Sequence, residues 1–360
     1  MFKNNPSVNL LFLMAVILTS SCTERFYKVD DFPKLTKFDT HVHLSGSNTG
    51  IAEQAIADNF KLVSISVDLD EKPDIVQQFN YATFQKNKFP EHVYTISSFT
   101  LENWNSPTWE DEVIAKLKED FERGALGIKI WKNIGMTYKD ADGEFIMIDR
   151  PRFDKVINFV KQQGKMVIGH LGEPRNCWLP LDSMTVSSDK AYFKDHPQFH
   201  MYLHPEYPSY EEQLAARDRF LDRNPGLQFV GAHLASIEWS VDELAKRLDK
   251  YPNMAVDMAE RICHWQYQSL TDREKVRDFI IKYQNQLIYG TDLYISDFAD
   301  NSNVKNHAHK LWTEDWKYFV TDETMTAPQV NGSFQGLKLP KEVVDKIYYH
   351  NAVKWFNIKD

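Results

Sequence analysis

At 360 residues, with 42 Lys and Arg against 51 Asp and Glu, the chain carries a net charge of −9, which argues against a nucleic-acid surface as its main role because such surfaces need a basic excess. Its 42% hydrophobic and 26% charged residues are ordinary globular usage and exclude wholesale disorder. Three cysteines exclude a disulfide scaffold.

The first element is an address. Leu10–Leu18 is almost wholly apolar, follows Lys3 and precedes Thr19, Ser20, Ser21 and Cys22. About nine apolar residues are too few to cross a bilayer as a helix but suit a signal-peptide core. Small residues before a cysteine resemble a bacterial lipoprotein signal, although Leu18 stands one place further from Cys22 than the usual pattern has it. The expectation is a signal at 1–21, a polar tether at 22–34 and one barrel domain at 35–360. Lipidation of Cys22 would hold that domain to a membrane of the bacterial cell envelope, since acyl chains anchor without spanning. An ordinary cleaved signal, with Cys22 incidental, is the alternative. Cys177 and Cys263 could pair in an oxidising compartment.

Strand-like and helix-like stretches then alternate. Short β-branched runs bounded by turn residues predict strands at Lys37–His43, Lys61–Leu69, Val93–Phe99, Ala125–Trp131, Lys165–Leu171, Leu227–Leu234, Met254–Met258 and Gln286–Asp292. Apolar stripes predict helices at Trp109–Arg123, Phe153–Gln163, Tyr210–Arg223, Val241–Lys250 and Arg273–Tyr283, with Ser209 and Ser240 as N-caps and Pro340–Phe356 as a closing helix. Eight strands alternating with helices predict an α/β fold, a parallel (β/α)8 TIM barrel. An open doubly wound sheet is the alternative, weakened by the lack of a Gly-rich phosphate loop after the first strand. The longest interruption, Glu173–Pro208, follows the fifth strand, and loops of that length are often functional.

Histidines collect at the strand ends. His41 and His43 lie two apart, a spacing that puts both imidazoles on one face of an extended strand. His170, His233 and Asp292 each close a short apolar run. In a parallel barrel these carboxyl ends converge on one face, where active sites are built. Imidazole nitrogens with a carboxylate oxygen are the donor set that Zn²⁺ and related divalent ions prefer. A lone His-x-His pair is weak evidence; the ordered set at successive strand ends is much stronger.

In FDTHVH, VIGHLGE, FVGAHLAS, LIYGTD and the tail LPKEVVDKIYYHNAVKWF, the sequence resembles the amidohydrolase superfamily. The nearest branch is the amidohydrolase-related family of metal-dependent hydrolases and decarboxylases. The resemblance runs from Leu35 to the C-terminus, with little to match in Glu173–Pro208. It implies a distorted barrel in which His41, His43, His170 and Asp292 hold metal and Asp292 moves protons. By the same resemblance His233 binds a second metal or contacts substrate. Lys129 or Lys132 on the fourth strand would bridge two ions when carboxylated, or bind a substrate anion unmodified; one ion is the preferred expectation, Zn²⁺ the preferred metal.

Near the mouth, Glu173 can position substrate or donate a proton, and Arg261 can grip a substrate carboxylate; their plainer roles are a solvated carboxylate and a salt bridge to Glu260 or Asp257. Trp131, Trp178 and Trp265 offer an aromatic wall, with ordinary packing the plainer role, as exposure is for His200 and His204. The expected protein is a metal-dependent hydrolase of an ester, lactone or amide in a small molecule, with His233 hydrogen-bonding the reacting oxygen. A non-oxidative decarboxylase of a small acid and a non-catalytic ligand-binding lipoprotein are the alternatives. No nucleic acid is expected as a partner, and no membrane contact beyond the lipid anchor.

Overall fold

The computed structural model describes residues 25–69, 73–297 and 299–359; the expected signal segment and Cys22 lie outside them. Strands β1 (Lys37–Leu44), β2 (Phe60–Ile65), β3 (Val93–Ser98), β4 (Gly127–Ile130), β5 (Met166–Gly169), β6 (Phe229–Gly231), β7 (Met254–Asp257), β8 (Leu287–Ile288) and β9 (Leu293–Ile295) form one sheet in the order β8-β7-β6-β5-β4-β3-β2-β1-β9. All pairs are parallel. The last two strands are halves of one broken eighth strand. Its first half pairs with β7 and its second with β1. Between them Tyr289 O accepts from Thr40 N at 3.1 Å and Asp292 N donates to His41 O at 2.7 Å, so the sheet closes on itself as a distorted (β/α)8 barrel. The break brings backbone and strand together: a Cβ on Gly290 would lie 3.0 Å from the His41 Cβ.

Inward-facing apolar side chains (Phe38, Val63, Ile96, Ile168, Val230, Ile288) fill the amino-terminal end of the barrel, and Trp355 and Phe356 of the C-terminal segment seal it. Phe38 belongs to that plug and His41 to the opposite end of the same interior. Strict alternation would put them on opposite faces. A register shift between Asp39 and Val42 resolves the conflict.

The helices Tyr210–Arg223 and Val241–Lys250 start at the expected caps: Ser209 Oγ accepts Glu212 N at 3.2 Å and Ser240 Oγ accepts Glu243 N at 3.3 Å. The helix expected at Arg273–Tyr283 begins after a break at Asp272 (φ −150°, ψ 78°) and ends at Lys282, and a further helical stretch from Ile262 leads into it. The expected closing helix runs from Lys341 to Trp355, with a widened π turn at Lys346–His350 between the α-helical segments Lys341–Asp345 and Asn351–Trp355. Three helices (Gly50–Ala57, Ile75–Lys88, Asn301–Val320) and the hairpin Thr324–Ala327/Val330–Gln335 lie beyond the sequence expectations. No helix among the described residues is long and apolar enough to cross a membrane.

The tether expected at 22–34 is corrected from residue 25 onward. Val29–Lys34 is a 3-10 helix whose buried Phe32 meets Phe60 and Trp316 at ring-centroid distances of 6.0 and 5.9 Å. The buried Lys37 ammonium donates to the Phe32, Leu35 and Asp58 carbonyls at 2.6, 2.7 and 2.9 Å. A buried charge needs such partners, and they lock this segment to the barrel's foot. The Glu173–Pro208 insertion is also ordered, with the helix Ser187–Asp195 and a small core of Cys177, Phe193 and Met201. Cys177 and Cys263 are free thiols.

Candidate metal centre

The carboxyl ends of the strands bring together residues from His41 to Asp292. His41, His43 and Asp292 each present a ligand atom within 4.8 Å of the others. His43 Nδ1 lies 2.8 Å from Ile65 O and must donate to it, which leaves Nε2 to meet Asp292 Oδ1 at 2.9 Å. His41 Nδ1 lies 2.9 Å from Asp257 Oδ2, which fixes the proton there and turns the Nε2 lone pair into the cavity. The Lys129 ammonium, wholly buried, sits 3.2 Å from that Nε2.

His170 and His233 complete the ring. The His233 ring centroid lies 4.8 Å from that of His41 and 4.2 Å from that of His170. Both nitrogens of His170 are buried without a hydrogen-bond partner among the described residues. Such orphans are costly, and a cation ligand is one way to satisfy them. Burial pushes the His41, His170 and His233 imidazoles below their ordinary pKa and so keeps them neutral, the form that binds metal. Burial alone would raise the Asp292 carboxyl, but the neighbouring His41 and His43 imidazoles hold it well below the usual range. Neutral imidazoles around an ionised carboxylate fit a divalent transition-metal ion.

His233 is carried by an unusual backbone. His233, Leu234, Ala235 and Ser236 all have left-handed φ, at 56°, 55°, 55° and 57°. Outside contacts hold the turn: Asp257 Oδ1 accepts His233 N at 2.8 Å, Arg217 donates to Ala235 O at 2.5 Å, and Tyr210 Oη donates to Ser236 O at 2.5 Å. His233 Nδ1 lies 2.9 Å from Ala259 O and carries the proton. In its neutral form Nε2 is then an acceptor, so a hydrogen bond between His233 and a reacting oxygen runs from a water or hydroxyl to the imidazole.

The two fourth-strand lysines separate. Lys129 enters the histidine ring, whereas Lys132 pairs with Glu173. Burial would lower the Lys132 ammonium, but Glu173 raises it above its ordinary value; burial pushes Lys129 down to about 8. Glu173 is thus a buried ion-pair member, 3.8 Å from His170 Nε2. Arg261 is buried and leans on Glu260, donating to its carbonyl at 3.1 Å. Of the tryptophans, Trp131 packs edge-on to His170 with centroids 4.9 Å apart, Trp178 packs on Tyr210, and Trp265 is core. His200 and His204 bond loop carbonyls at Leu179 and Pro197. Sequence reasoning misses Asp257 as a site residue; its only signal is an acid closing the seventh apolar run.

A family model described as amidohydrolase matches residues 103–358. No curated protein matches. Among solved structures, 2,6-dihydroxybenzoate decarboxylase from Rhizobium is similar at 14% identity over 89% of this chain and 98% of that one, with a TM-score of 0.50. Its complex with 2,6-dihydroxybenzoate has the same identity and coverage and a TM-score of 0.51. A 5-carboxyvanillate decarboxylase of Novosphingobium aromaticivorans, with bound manganese, is 13% identical over 85% of this chain and 80% of that one, with a TM-score of 0.44. At these identities the likeness is one of fold.

Proposed function

The chain belongs to the amidohydrolase family, and from that membership we propose that it is a metal-dependent hydrolase that opens an ester, lactone or amide bond in a small molecule. The observation that carries this reading is the convergence of His41, His43 and Asp292 within 4.8 Å beside the unpartnered His170. These four residues would hold the ion, in keeping with one bound Zn²⁺. When bound, such an ion supplies Lewis acidity and brings the pKa of a water molecule down to about 7.

The side chains divide the remaining work. Asp292, ionised at the cavity end of strand eight, accepts a proton from the attacking water and returns it to the leaving group. His233 offers Nε2 as an acceptor that orients the water or a substrate hydroxyl. Lys129, 3.2 Å from His41 Nε2, offers its amine as a hydrogen-bond donor to the developing oxyanion. That role needs no carboxylation of the lysine. Glu173 and Lys132 hold each other at the wall of the site and order its entrance.

Metal analysis of the purified protein, with an ester, lactone and amide screen, tests the reading. Asp292→Asn at saturating metal is expected to lower turnover by about 10²–10⁴-fold; turnover close to wild type would refute the proton-transfer role. Release of CO₂ from a small acid without hydrolytic product would move the assignment to a non-oxidative decarboxylase. Metal binding without any turnover would favour a ligand-binding role. We further propose that lipidation of Cys22 places this chemistry at a membrane of the bacterial envelope. Cys22→Ala should then move the protein from the membrane to the soluble fraction, and unchanged partitioning would exclude the anchor.

A further inference from the structure

Next to the histidine ring, the loops after β5, β6 and β7 build a second buried polar group that the proposed chemistry does not use. The insertion supplies Asn176 and Asp189, the loop after β6 supplies Glu238, and the segment after β7 supplies Glu260, Arg261 and His264. Asp189 Oδ2 accepts from Asn176 Nδ2 at 2.8 Å and lies 3.3 Å from His264 Nε2. Glu238 takes the Arg175 backbone N–H at 2.8 Å on one oxygen. Its other oxygen and Arg261 Nε are buried without a hydrogen bond to any described residue, whereas His264 Nε2 faces the Asp189 carboxylate. The side chains are nearly closed to solvent: Glu238 is 1%, His264 2% and Arg261 7% exposed.

Leaving two buried polar atoms unmatched is costly, so the group is shaped for something that brings both a donor and an acceptor. A free carboxylate would suit Arg261 alone. It would meet Asp189, Glu238 and Glu260, the acids whose charges hold the Arg261 guanidinium above its ordinary pKa against burial. A metal ion is equally unsuited, because Arg261 stands among those acids and no further metal-ligand cluster occurs among the described residues. A hydroxyl or primary amide satisfies both demands: its oxygen accepts from Arg261 Nε and its hydrogen donates to Glu238. The His233 imidazole is held at 2.9 Å by the carbonyl of Ala259, two residues before Arg261, and Glu238 follows His233 by five residues, which places the group beside the reacting centre.

We propose that Glu238 and Arg261, backed by the Asp189–His264 pair, form a substrate subsite for a neutral hydrogen-bonding group, an amide or hydroxyl, distal to the bond that reacts. This replaces the expected grip of Arg261 on a substrate carboxylate. It rests on the histidine ring being where substrate meets the metal, and it names what the far end of that substrate carries.

Binding to the metal-loaded full-length protein tests the subsite without relying on turnover. Two probe pairs differ only by CONH₂ for COO⁻: 3-carbamoylbenzoate against isophthalate, and glutaramate against glutarate. The remaining carboxylate is free to reach the metal. The monoamide of at least one pair should bind about tenfold or more tightly than its diacid, the scale of one hydrogen bond to a charged group. In Glu238→Gln the repulsion of the diacid disappears and the gap should fall below about threefold. Arg261→Lys, which keeps the charge but loses the Nε geometry, should weaken the monoamide about tenfold and serves if the first variant does not fold. Equal affinities, tighter diacids, no binding of either probe, or an unchanged gap in the variants would overturn the proposal. An amide preference in a protein that hydrolyses nothing would leave the subsite standing and remove the hydrolase reading; turnover with a diacid preference would do the reverse.

Discussion

Asp257 shows how much a single side chain can fix. One oxygen accepts the His41 Nδ1 proton at 2.9 Å, and the other accepts the backbone N–H groups of His233 at 2.8 Å and Ala259 at 3.2 Å. Burial alone would raise this carboxyl, but His41, His233 and the Lys129 ammonium bring it down to about 2. It is therefore ionised across the working range. The stability it contributes is present above the unfolded-state pKa and is lost only as pH falls through about 2. Because it sets the tautomer of one proposed ligand, Asp257→Asn should cost about 10–100-fold in metal affinity. Competition against a chelating dye measures this, and an unchanged affinity would show that His41 is oriented by other means.

At the scale of the element, the left-handed turn His233–Ser236 is the most costly stretch of backbone in the site. Left-handed geometry costs roughly 1–2 kcal/mol for each residue with a side chain, and four such residues in succession persist only where neighbours impose them. Arg217 is one of those neighbours: fully buried on the helix Tyr210–Arg223, it donates to Ala235 O and pairs with Asp218 at 2.9 Å. Arg217→Met should lose about 3 kcal/mol of stability and reduce activity further than it reduces the folded fraction, because His233 loses its fixed position. Denaturant melts paired with turnover per folded molecule decide it; a stability loss with full specific activity would show that the turn holds without Arg217.

At the scale of the whole molecule, the closure of the barrel is titratable. The broken eighth strand is held to the helix Asn301–Val320 by Tyr289 Oη, which donates to Asp315 Oδ2 at 2.8 Å. Burial, reinforced by Asp39 and Glu314 and only partly offset by Tyr289, pushes the Asp315 carboxyl up to about 7. Its folded-state pKa thus lies above its unfolded value. Between about pH 4 and 7 the native state keeps a proton the unfolded chain has lost, so this group's contribution to stability falls as pH rises through that window. Asp315→Asn escapes that loss. The difference in Tm between variant and wild type should grow in the variant's favour from pH 4 to pH 8, and a constant difference would contradict the assignment.

Much of this architecture is legible in the residues themselves. Eight short apolar runs fall on eight strand positions because β-branched runs bounded by turns have few other solutions. Ser209 and Ser240 cap helices because a hydroxyl ahead of an apolar stripe satisfies an otherwise idle backbone N–H. His41, His43 and Asp292 are readable as one centre because a parallel barrel brings the carboxyl ends of its strands to one face. The residues around them are not readable in that way. Asp257 meets His41 across 216 positions, and Glu238, Asp189 and His264 come from a loop and two separate helices with no shared motif. Composition likewise cannot foretell that the segment from residue 25 packs on the barrel, since that depends on Phe32 finding Phe60 and Trp316.

The sequence by itself determined the chemistry on offer, its order along the chain and the kind of barrel that presents it, because periodicity and residue type are local properties. The tertiary structure alone decided which imidazole nitrogen carries its proton, which lysine enters the ring and which buried atoms go without a partner. Those outcomes depend on hydrogen bonds between strands and loops far apart in the chain, which exist only once the barrel has closed.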